Sequence, residues 1–349
     1  MVQRRASKGA ETGPEGGAMV DLDSRGVIEA ITGAWRTRAI YEAVRAGLLD
    51  ALGDVPASSA GLAAALDLDA PTTLRMLRAL AVLGLCDQQG PDLFAATPAG
   101  RRLRSDAPDS LRGMAMLWGD RIWRSLETLG DTLRTGEPGW GNGDFGAIHG
   151  DPAASDIFNR AMAEQSVPIA QALARTSDFS RFATVADVGG GYGAVLIEVL
   201  RANLALTGFV QDLPTIAEGA GRYLDQAGLD GRAYFRGGDF FAEIAEGANC
   251  ILLKYILHDW PDGDCSHILS NVRAGLAPDA TLMVLERILP ERVGAQDEAV
   301  VRTDLVMMPI SGKERTEAEF RAMLAAAGFA VEAVRPLVDG CWVIEARAI

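Results

Sequence analysis

The sequence predicts an α/β fold in which a doubly wound sheet follows a mainly helical N-terminal half. The hydrophobic pattern changes near residue 180, and a glycine-rich segment there follows an apolar strand and opens a helix. The chain has 349 residues, enough for about two domains at roughly 100–200 residues each. We expect a tail at 1–20, a winged-helix-like domain at 21–105, a helical linker at 106–180 and an α/β domain at 181–349.

The first half is predicted to be helical because its apolar residues recur every three or four positions. Ser58 and Ser59 can cap a short helix, and Pro71 suits the first turn of the next one. Three helices before a hairpin are typical of a winged helix. The predicted elements are helix 27–52, helix 71–84, hairpin 85–96, helix 109–136, the glycine-rich loop 136–146, and a helix that starts at 151–152 and is kinked at Pro168.

The second half alternates short apolar runs with helical stretches, which indicates parallel strands with helices on both faces. The predicted strands are 184–188, 206–210, 232–235, 250–254, 281–285, 330–335 and 341–346. The predicted helices are 194–203, 214–227, 264–276 and 316–327.

Composition excludes several classes of function. The 33 basic and 47 acidic residues give a net charge of −14, which argues against nucleic-acid partners and anionic membranes. The four cysteines form no CxxC pair, and scattered thiols of this kind fit a cytoplasmic protein. The longest apolar stretch, 79–86, is too short to span a bilayer, and the N-terminus lacks the apolar core of a signal peptide.

The strongest motif is VADVGGGYG at 185–193. Its glycines let the backbone turn sharply and approach a ligand, although a strand–helix turn without a ligand remains an alternative. Asp212 ends the next predicted strand, where a carboxylate can accept both ribose hydroxyls of a nucleoside. The alternative for Asp212 is a helix N-cap. In GGDFF, Asp239 can bond an adenine amino group and Phe240 can flank the ring.

The segment LKYILHDWPD at 253–262 places Lys254, His258 and Asp259 beyond the fourth strand of the alternating half. Histidine is the natural general base near neutral pH, so His258 is the candidate base, with a capped loop histidine as the alternative. A metal site with Cys265 and His267 matches no zinc spacing, and we expect no metal.

Six segments in this order resemble the S-adenosylmethionine-dependent O-methyltransferases of the caffeate and bacterial aromatic-polyketide type: VADVGGGYG, QDLP, GGDFF, LLKYILHDWPD, LERILPE and ISGKERTEAEF. The resemblance covers residues 25–349. It implies a seven-stranded, Rossmann-like methyltransferase sheet with an antiparallel last strand. It also implies an N-terminal dimerisation domain whose helices line the partner's pocket, and S-adenosylmethionine as cofactor.

By motif match, the resemblance implies these cofactor-binding residues: Arg160, Ser166, Asp187, Gly189, Gly191, Asp212, Leu213, Asp239, Phe240 and Lys254. His258 would be the base, flanked by Glu286 and Glu314. For each glutamate the alternative is a surface salt bridge, with Arg287 and Arg315 respectively. The candidate acceptor contacts are Met162, Asp259, Trp260 and Met308, whereas Met114 and Met116 are expected in the core.

The resemblance therefore predicts methyl transfer to a hydroxyl group of an aromatic small molecule in bacterial secondary metabolism, by a homodimer. Alternatives stay open. The fold could use the cofactor for hydroxylation or decarboxylation, or could methylate an amine or a carboxylate. A DNA-binding regulator is disfavoured because the recognition helix 71–84 carries only Arg75 and Arg78. A nicotinamide oxidoreductase is disfavoured by the order of the later motifs.

Overall fold

The computed structural model describes residues 23–140, 148, 150–229 and 231–349. The predicted tail at 1–20 and most of the predicted loop at 136–146 lie outside the described residues.

The N-terminal part consists of helices around a small antiparallel sheet. Its strands are β1 (Ala57–Ser58), β2 (Cys86–Gln88) and β3 (Leu93–Ala96), in the order β1-β3-β2. The Ser58 hydroxyl accepts a hydrogen bond from the Gly61 N–H at 3.0 Å, which confirms the predicted helix cap. The predicted hairpin is also present. The helices are Ser24–Thr32, Ala34–Arg45, Leu48–Ala51, Ser59–Leu66, Ala70–Val82 and Pro98–Arg101.

Two predicted long helices are divided in the structure. The helix predicted over 27–52 breaks at Gly33 and again at Gly47, which adopts a φ of 75° that glycine tolerates without steric cost. The helix predicted over 109–136 is divided by a π-helical turn, Trp118–Ile122, and again at Thr128. Its segments are Arg112–Leu117, the π turn, Trp123–Glu127 and Leu129–Thr135.

The C-terminal part forms a seven-stranded sheet in the order β6-β5-β4-β7-β8-β10-β9. β10 pairs antiparallel with both β8 and β9, while the pairs from β6 to β8 are parallel, so the predicted antiparallel last strand is confirmed. The strands are β4 (Thr184–Val188), β5 (Thr207–Asp212), β6 (Ala233–Gly237), β7 (Cys250–Lys254), β8 (Thr281–Arg287), β9 (Phe329–Pro336) and β10 (Cys341–Ala348).

Six α-helices accompany this sheet in the described residues: Pro152–Thr176, Ala194–Ala202, Ala217–Gln226, Asp262–Gly275, Glu298–Met307 and Glu317–Ala326. The first begins at the predicted Asp151-Pro152 start and continues through Pro168. Glu298–Met307 was not predicted, because no side chain caps its N-terminus and its sequence alternates charged and apolar residues without a clear stripe.

The two faces of the sheet are buried by different helices, because successive side chains of a strand point to opposite faces. Ile251 and Leu253 of β7 pack with the helices Asp262–Gly275 and Glu317–Ala326. Leu252 of β7 packs on the other face with Ile169 of the long helix Pro152–Thr176. The carboxyl ends of β4, β5, β7 and β8 therefore share one edge under that helix.

Candidate active site

The turn after β4 is rich in glycine, and its backbone could not adopt this conformation without strain or clashes if the glycines carried side chains. Gly189, Gly191 and Gly193 have φ of 68°, 57° and 84°, which L side chains rarely adopt. A Cβ on Gly189 would come within 2.4 Å of the Ile256 Cδ1. The turn thus brings bare backbone to the edge of the sheet, immediately before the helix Ala194–Ala202.

Asp212 closes this turn from the end of β5. Its carboxylate accepts hydrogen bonds from the Gly191 N–H at 2.8 Å and the Leu213 N–H at 2.7 Å. Burial raises the pKa of this carboxyl. The short helix that follows has no side-chain cap, so the alternative of a helix N-cap is wrong. The carboxylate instead links the glycine turn to the strand next to it.

A cavity of about 230 Å³ opens over this edge of the sheet. Most of the predicted site residues line it together: Met162, Ser166, Asp187, Gly189, Gly191, Asp212, Leu213, Phe240, Lys254, His258, Asp259 and Trp260. Residues that were predicted from separate motifs along the chain thus line the same cavity.

Five predicted site residues do not line the cavity. Glu286 and Glu314 flank His258 behind it, whereas the predicted ligand contacts of the other three need correction. Arg160 points from the long helix into a neighbouring groove, where its Nε pairs with the Asp156 carboxylate at 2.7 Å. Asp239 is exposed and accepts a hydrogen bond from the Phe241 N–H at 2.8 Å. Met308 is 41% exposed, while Met307 before it is buried and lines the cavity.

Helical periodicity explains the Arg160 correction. Asn159, Met162, Ala163 and Ser166 lie three or four positions apart and face the cavity together. Arg160 is one residue beyond Asn159 and is therefore rotated by about 100° around the helix axis. The spacing alone could have selected Asn159, which the sequence analysis missed.

The other cavity residues that the sequence analysis missed come from both halves of the chain. Met114 was expected in the core, yet it lines the cavity beside the π turn. Further unpredicted lining residues include Leu117, Trp118, Ile122, Tyr192, Tyr255, Ile256, Arg287 and Ile310, whereas Met307 was one of the methionines considered for the acceptor pocket and does line the cavity. Several of these residues lie within the quoted motifs, but the motifs alone did not assign them to the site, and apolar residues at helical spacing such as Leu117 and Ile122 are equally typical of core.

Lys254 is held by the long helix. Its Nζ donates to the Ser166 hydroxyl at 2.8 Å, and burial lowers the pKa of the ammonium to about 8. Burial also raises the pKa of the neighbouring Asp187 to about 7, and the Oδ1 of Asp187 has no hydrogen-bond partner among the described residues. The cavity thus offers one buried cation and one buried acceptor next to the glycine turn.

His258 lies between two buried carboxylates. Its Nδ1 is 3.1 Å from the Glu314 Oε1 and 3.7 Å from the Glu286 Oε2. Glu286 and Glu314 are 0% and 3% exposed, so surface salt bridges with the adjacent arginines are wrong for both. Glu286 also accepts hydrogen bonds from the N–H groups of Leu257 and His258 at 2.9 and 3.3 Å, which orients the carboxylate.

The carboxylates determine how readily the imidazole holds a proton. Burial alone would lower the pKa of His258, but the charges of Glu286, Asp259 and Glu314 raise it to about 9. Burial in turn raises the pKa of Glu286 to about 7 and that of Asp259 to about 6. At neutral pH, this group of His258 and its neighbouring carboxylates therefore retains a proton on or near the imidazole.

The metal alternative from the sequence is not supported by the geometry. The Cys265 Sγ donates to the Leu257 carbonyl, and the His267 ring lies 5.8 Å from the Phe241 ring. The metal-ligating atoms of His258, Glu286 and Glu314 do lie within 4.8 Å of one another. In this trio the imidazole and Glu314 are within hydrogen-bond distance of each other.

No described helix has the length and apolar character needed to cross a membrane. The family of O-methyltransferase domains matches residues 126–330, and the family of O-methyltransferase dimerisation domains matches residues 28–106.

Three proteins illustrate how closely the chain is matched. A phenazine O-methyltransferase of Lysobacter antibioticus is 36% identical over 93% of this chain and 96% of its own. A mitomycin biosynthesis 6-O-methyltransferase of Streptomyces lavendulae is 36% identical over 90% of this chain and 91% of its own. The crystal structure of human N-acetylserotonin methyltransferase with S-adenosylmethionine is 25% identical and superimposes with a TM-score of 0.84 over 95% of this chain and 99% of that one.

Proposed function

This chain belongs to the O-methyltransferase family, and we propose that it methylates a hydroxyl group of an aromatic small molecule with His258 as the general base. The chain is an S-adenosylmethionine-dependent methyltransferase. The observation that carries the proposed mechanism is the buried imidazole of His258, which lines the cavity and is fixed at Nδ1 by Glu314.

The fixed tautomer assigns a role to each ring nitrogen. When the imidazole is neutral, Nδ1–H donates to Glu314, which leaves Nε2 to accept the proton of an acceptor hydroxyl. The carboxylates of Glu314 and Glu286 then stabilise the imidazolium that forms, as in other oriented histidine–carboxylate pairs. Glu286 and Glu314 do not line the cavity, so we assign them positioning and electrostatic roles.

The residues of the cavity fit S-adenosylmethionine. Asp212 offers a carboxylate to ribose hydroxyls, and the unpartnered Asp187 Oδ1 offers an acceptor to an amino group. The glycine turn leaves the space that a Cβ would fill, and Phe240 and Leu213 supply apolar contact. When bound, the cofactor supplies an electrophilic methyl group on a sulfonium sulfur.

The proposed acceptor contacts come from the helical side of the cavity and from the loop after β7. Met162, Trp260 and the helices around the π turn form an apolar wall that suits a flat aromatic molecule. The two bacterial relatives named above act in phenazine and mitomycin chemistry, which supports an aromatic acceptor of secondary metabolism. We place the enzyme in the cytoplasm, as its four buried free thiols suggest.

The match to a dimerisation domain supports a homodimer, and the first helix supplies a face for it. Four apolar side chains in this helix and just after it are each at least 40% exposed: Val27, Ile28, Ile31 and Trp35. Apolar side chains grouped at helical spacing on a monomer surface are typical of an interface.

The test is methyl transfer itself. Purified protein is incubated with S-adenosylmethionine and a panel of hydroxylated phenazines, quinones and benzoates, and the products are analysed by mass spectrometry. A gain of one methylene unit on an aromatic hydroxyl supports the proposal. Loss of carbon dioxide, gain of oxygen, or methylation confined to amines would contradict it.

A further inference from the structure

Arg287 is a buried cation that has no acidic partner among the described residues. It ends β8, is 5% exposed and lines the cavity. Its Nε has no hydrogen-bond partner, and no carboxylate of the described residues forms an ion pair with its guanidinium. Removing a guanidinium from water without compensation is costly, so this arrangement requires an explanation.

A second buried arginine, Arg315, shows how the described part of this chain satisfies such a group elsewhere. Arg315 is 0% exposed, and its guanidinium donates to the Asp262 carboxylate at 2.8 Å and to the carbonyls of Leu257 and Trp260 at 2.7 and 2.8 Å. Arg315 is therefore a structural residue. Arg287 differs from it in both respects: it lacks these partners and it faces the cavity.

Arg287 is held over an aromatic ring instead. Its guanidinium carbon lies 4.5 Å from the centre of the Tyr255 ring, and the Lys254 Nζ lies 4.4 Å from the same ring. Tyr255 has a φ of 54°, an unfavourable conformation for an aromatic residue. The cation–π contact orients the guanidinium, and its N–H donors have no hydrogen-bond partner in the part of the chain that the structure describes, so they are available to a ligand.

The same ring connects Arg287 with the proposed base. The Tyr255 ring is stacked on the His258 imidazole, with the ring centres 5.2 Å apart. The guanidinium and the imidazole therefore contact the same aromatic ring, and only a short separation lies between them. An aromatic acceptor that carries a hydroxyl and an acidic group can span that separation.

We propose that Arg287 forms a carboxylate-binding subsite of the cavity, assisted by Lys254. The planar guanidinium matches the two oxygens of a carboxylate. This inference rests on the proposed function, because the carboxylate belongs either to the acceptor or to the cofactor's methionine. β7 separates Arg287 on β8 from the glycine turn after β4, a distance of about 10 Å, which favours the acceptor.

The experiment measures binding rather than turnover. Calorimetry compares hydroxylated aromatic acids of the benzoate, naphthoate and phenazine series with their methyl esters, in the presence of saturating S-adenosylhomocysteine. We expect the wild type to bind at least one acid about tenfold more tightly than its ester. Arg287→Gln should abolish that preference, and Arg287→Lys should restore part of it. S-adenosylhomocysteine itself is titrated against each variant.

Each outcome decides the proposal. Lost acid preference with unchanged S-adenosylhomocysteine affinity assigns the subsite to the acceptor. A tenfold loss of S-adenosylhomocysteine affinity with unchanged acid preference assigns it to the cofactor. If Arg287→Gln alters neither, or if the wild type prefers no acid and the cofactor affinity is unchanged, the subsite does not exist.

Arg335→Gln is the matched control, because Arg335 lies on β9 outside the cavity and donates to Thr176. Thermal melting compares the folding of both variants. A wild type that binds acids as expected but transfers no methyl group would contradict the proposed function and leave the subsite standing.

Discussion

The two walls of the cavity are held in different ways. On the sheet wall, charged groups such as Asp187, Lys254 and His258 are buried, and hydrogen bonds to neighbouring elements orient each of them. On the helical wall, Met114, Trp118 and Ile122 are only half-buried and lie around a π turn. The difference indicates that the sheet wall performs the chemistry, whereas the helical wall adapts to the shape of the acceptor.

The largest effect is expected from the base of the sheet wall. His258→Ala should lower kcat by about 10²–10⁴-fold, because it removes the group that takes the hydroxyl proton. S-adenosylmethionine affinity, measured by calorimetry, should stay within about twofold of wild type, since the glycine turn and Asp212 are untouched. A kcat within about threefold of wild type would remove His258 from the mechanism.

The next effect is expected at the cofactor end of the same wall. Asp212→Ala should weaken S-adenosylmethionine binding by about 10–100-fold, because it removes a charged acceptor and frees the Gly191 N–H. Asp225→Ala, in the last turn of Ala217–Gln226 and away from the cavity, serves as the control. Equal affinity of Asp212→Ala and wild type would show that the carboxylate only shapes the turn.

The third effect tests the electrostatics of the sheet wall. The charge of Glu314 raises the pKa of His258, so Glu314→Gln should lower that pKa and shift the rising limb of the pH–kcat/KM profile to lower pH. The maximal kcat should fall about tenfold, because the imidazolium loses a stabilising charge. A limb that stays in place or moves to higher pH would contradict the role of Glu314.

The smallest effect is expected on the helical wall. Met162→Ala should change KM for the acceptor by about 3–10-fold and leave the pH profile unchanged, because a flexible apolar contact contributes to binding and not to proton transfer. Met308→Ala is the matched control and should behave as wild type, since this side chain is outside the cavity. If Met162→Ala and Met308→Ala changed KM for the acceptor equally, Met162 would have no specific role in acceptor binding.

Local pattern determined much of this protein. The alternation after residue 180, the glycine turn and the Ser58 cap depend on neighbours within a few positions, where backbone preference and hydrophobic period act directly. The order of the motifs also indicated which strand ends would meet, because parallel strands present their carboxyl ends at one edge. His258 and Glu314 were paired by resemblance although 56 residues separate them.

Only the tertiary structure decided which side chain of each motif faces the cavity. The rotation of the long helix selects Asn159 over Arg160, and the packing around the Leu257–Asp259 turn buries Glu286 and Glu314 instead of pairing them at the surface. Arg287 and Arg315 each follow a glutamate in the sequence. Arg315 nevertheless pairs with Asp262, whereas Arg287 packs over the Tyr255 ring. Such contacts depend on how distant elements pack, and the free energy of a buried charge depends on that environment more than on its neighbours in the chain.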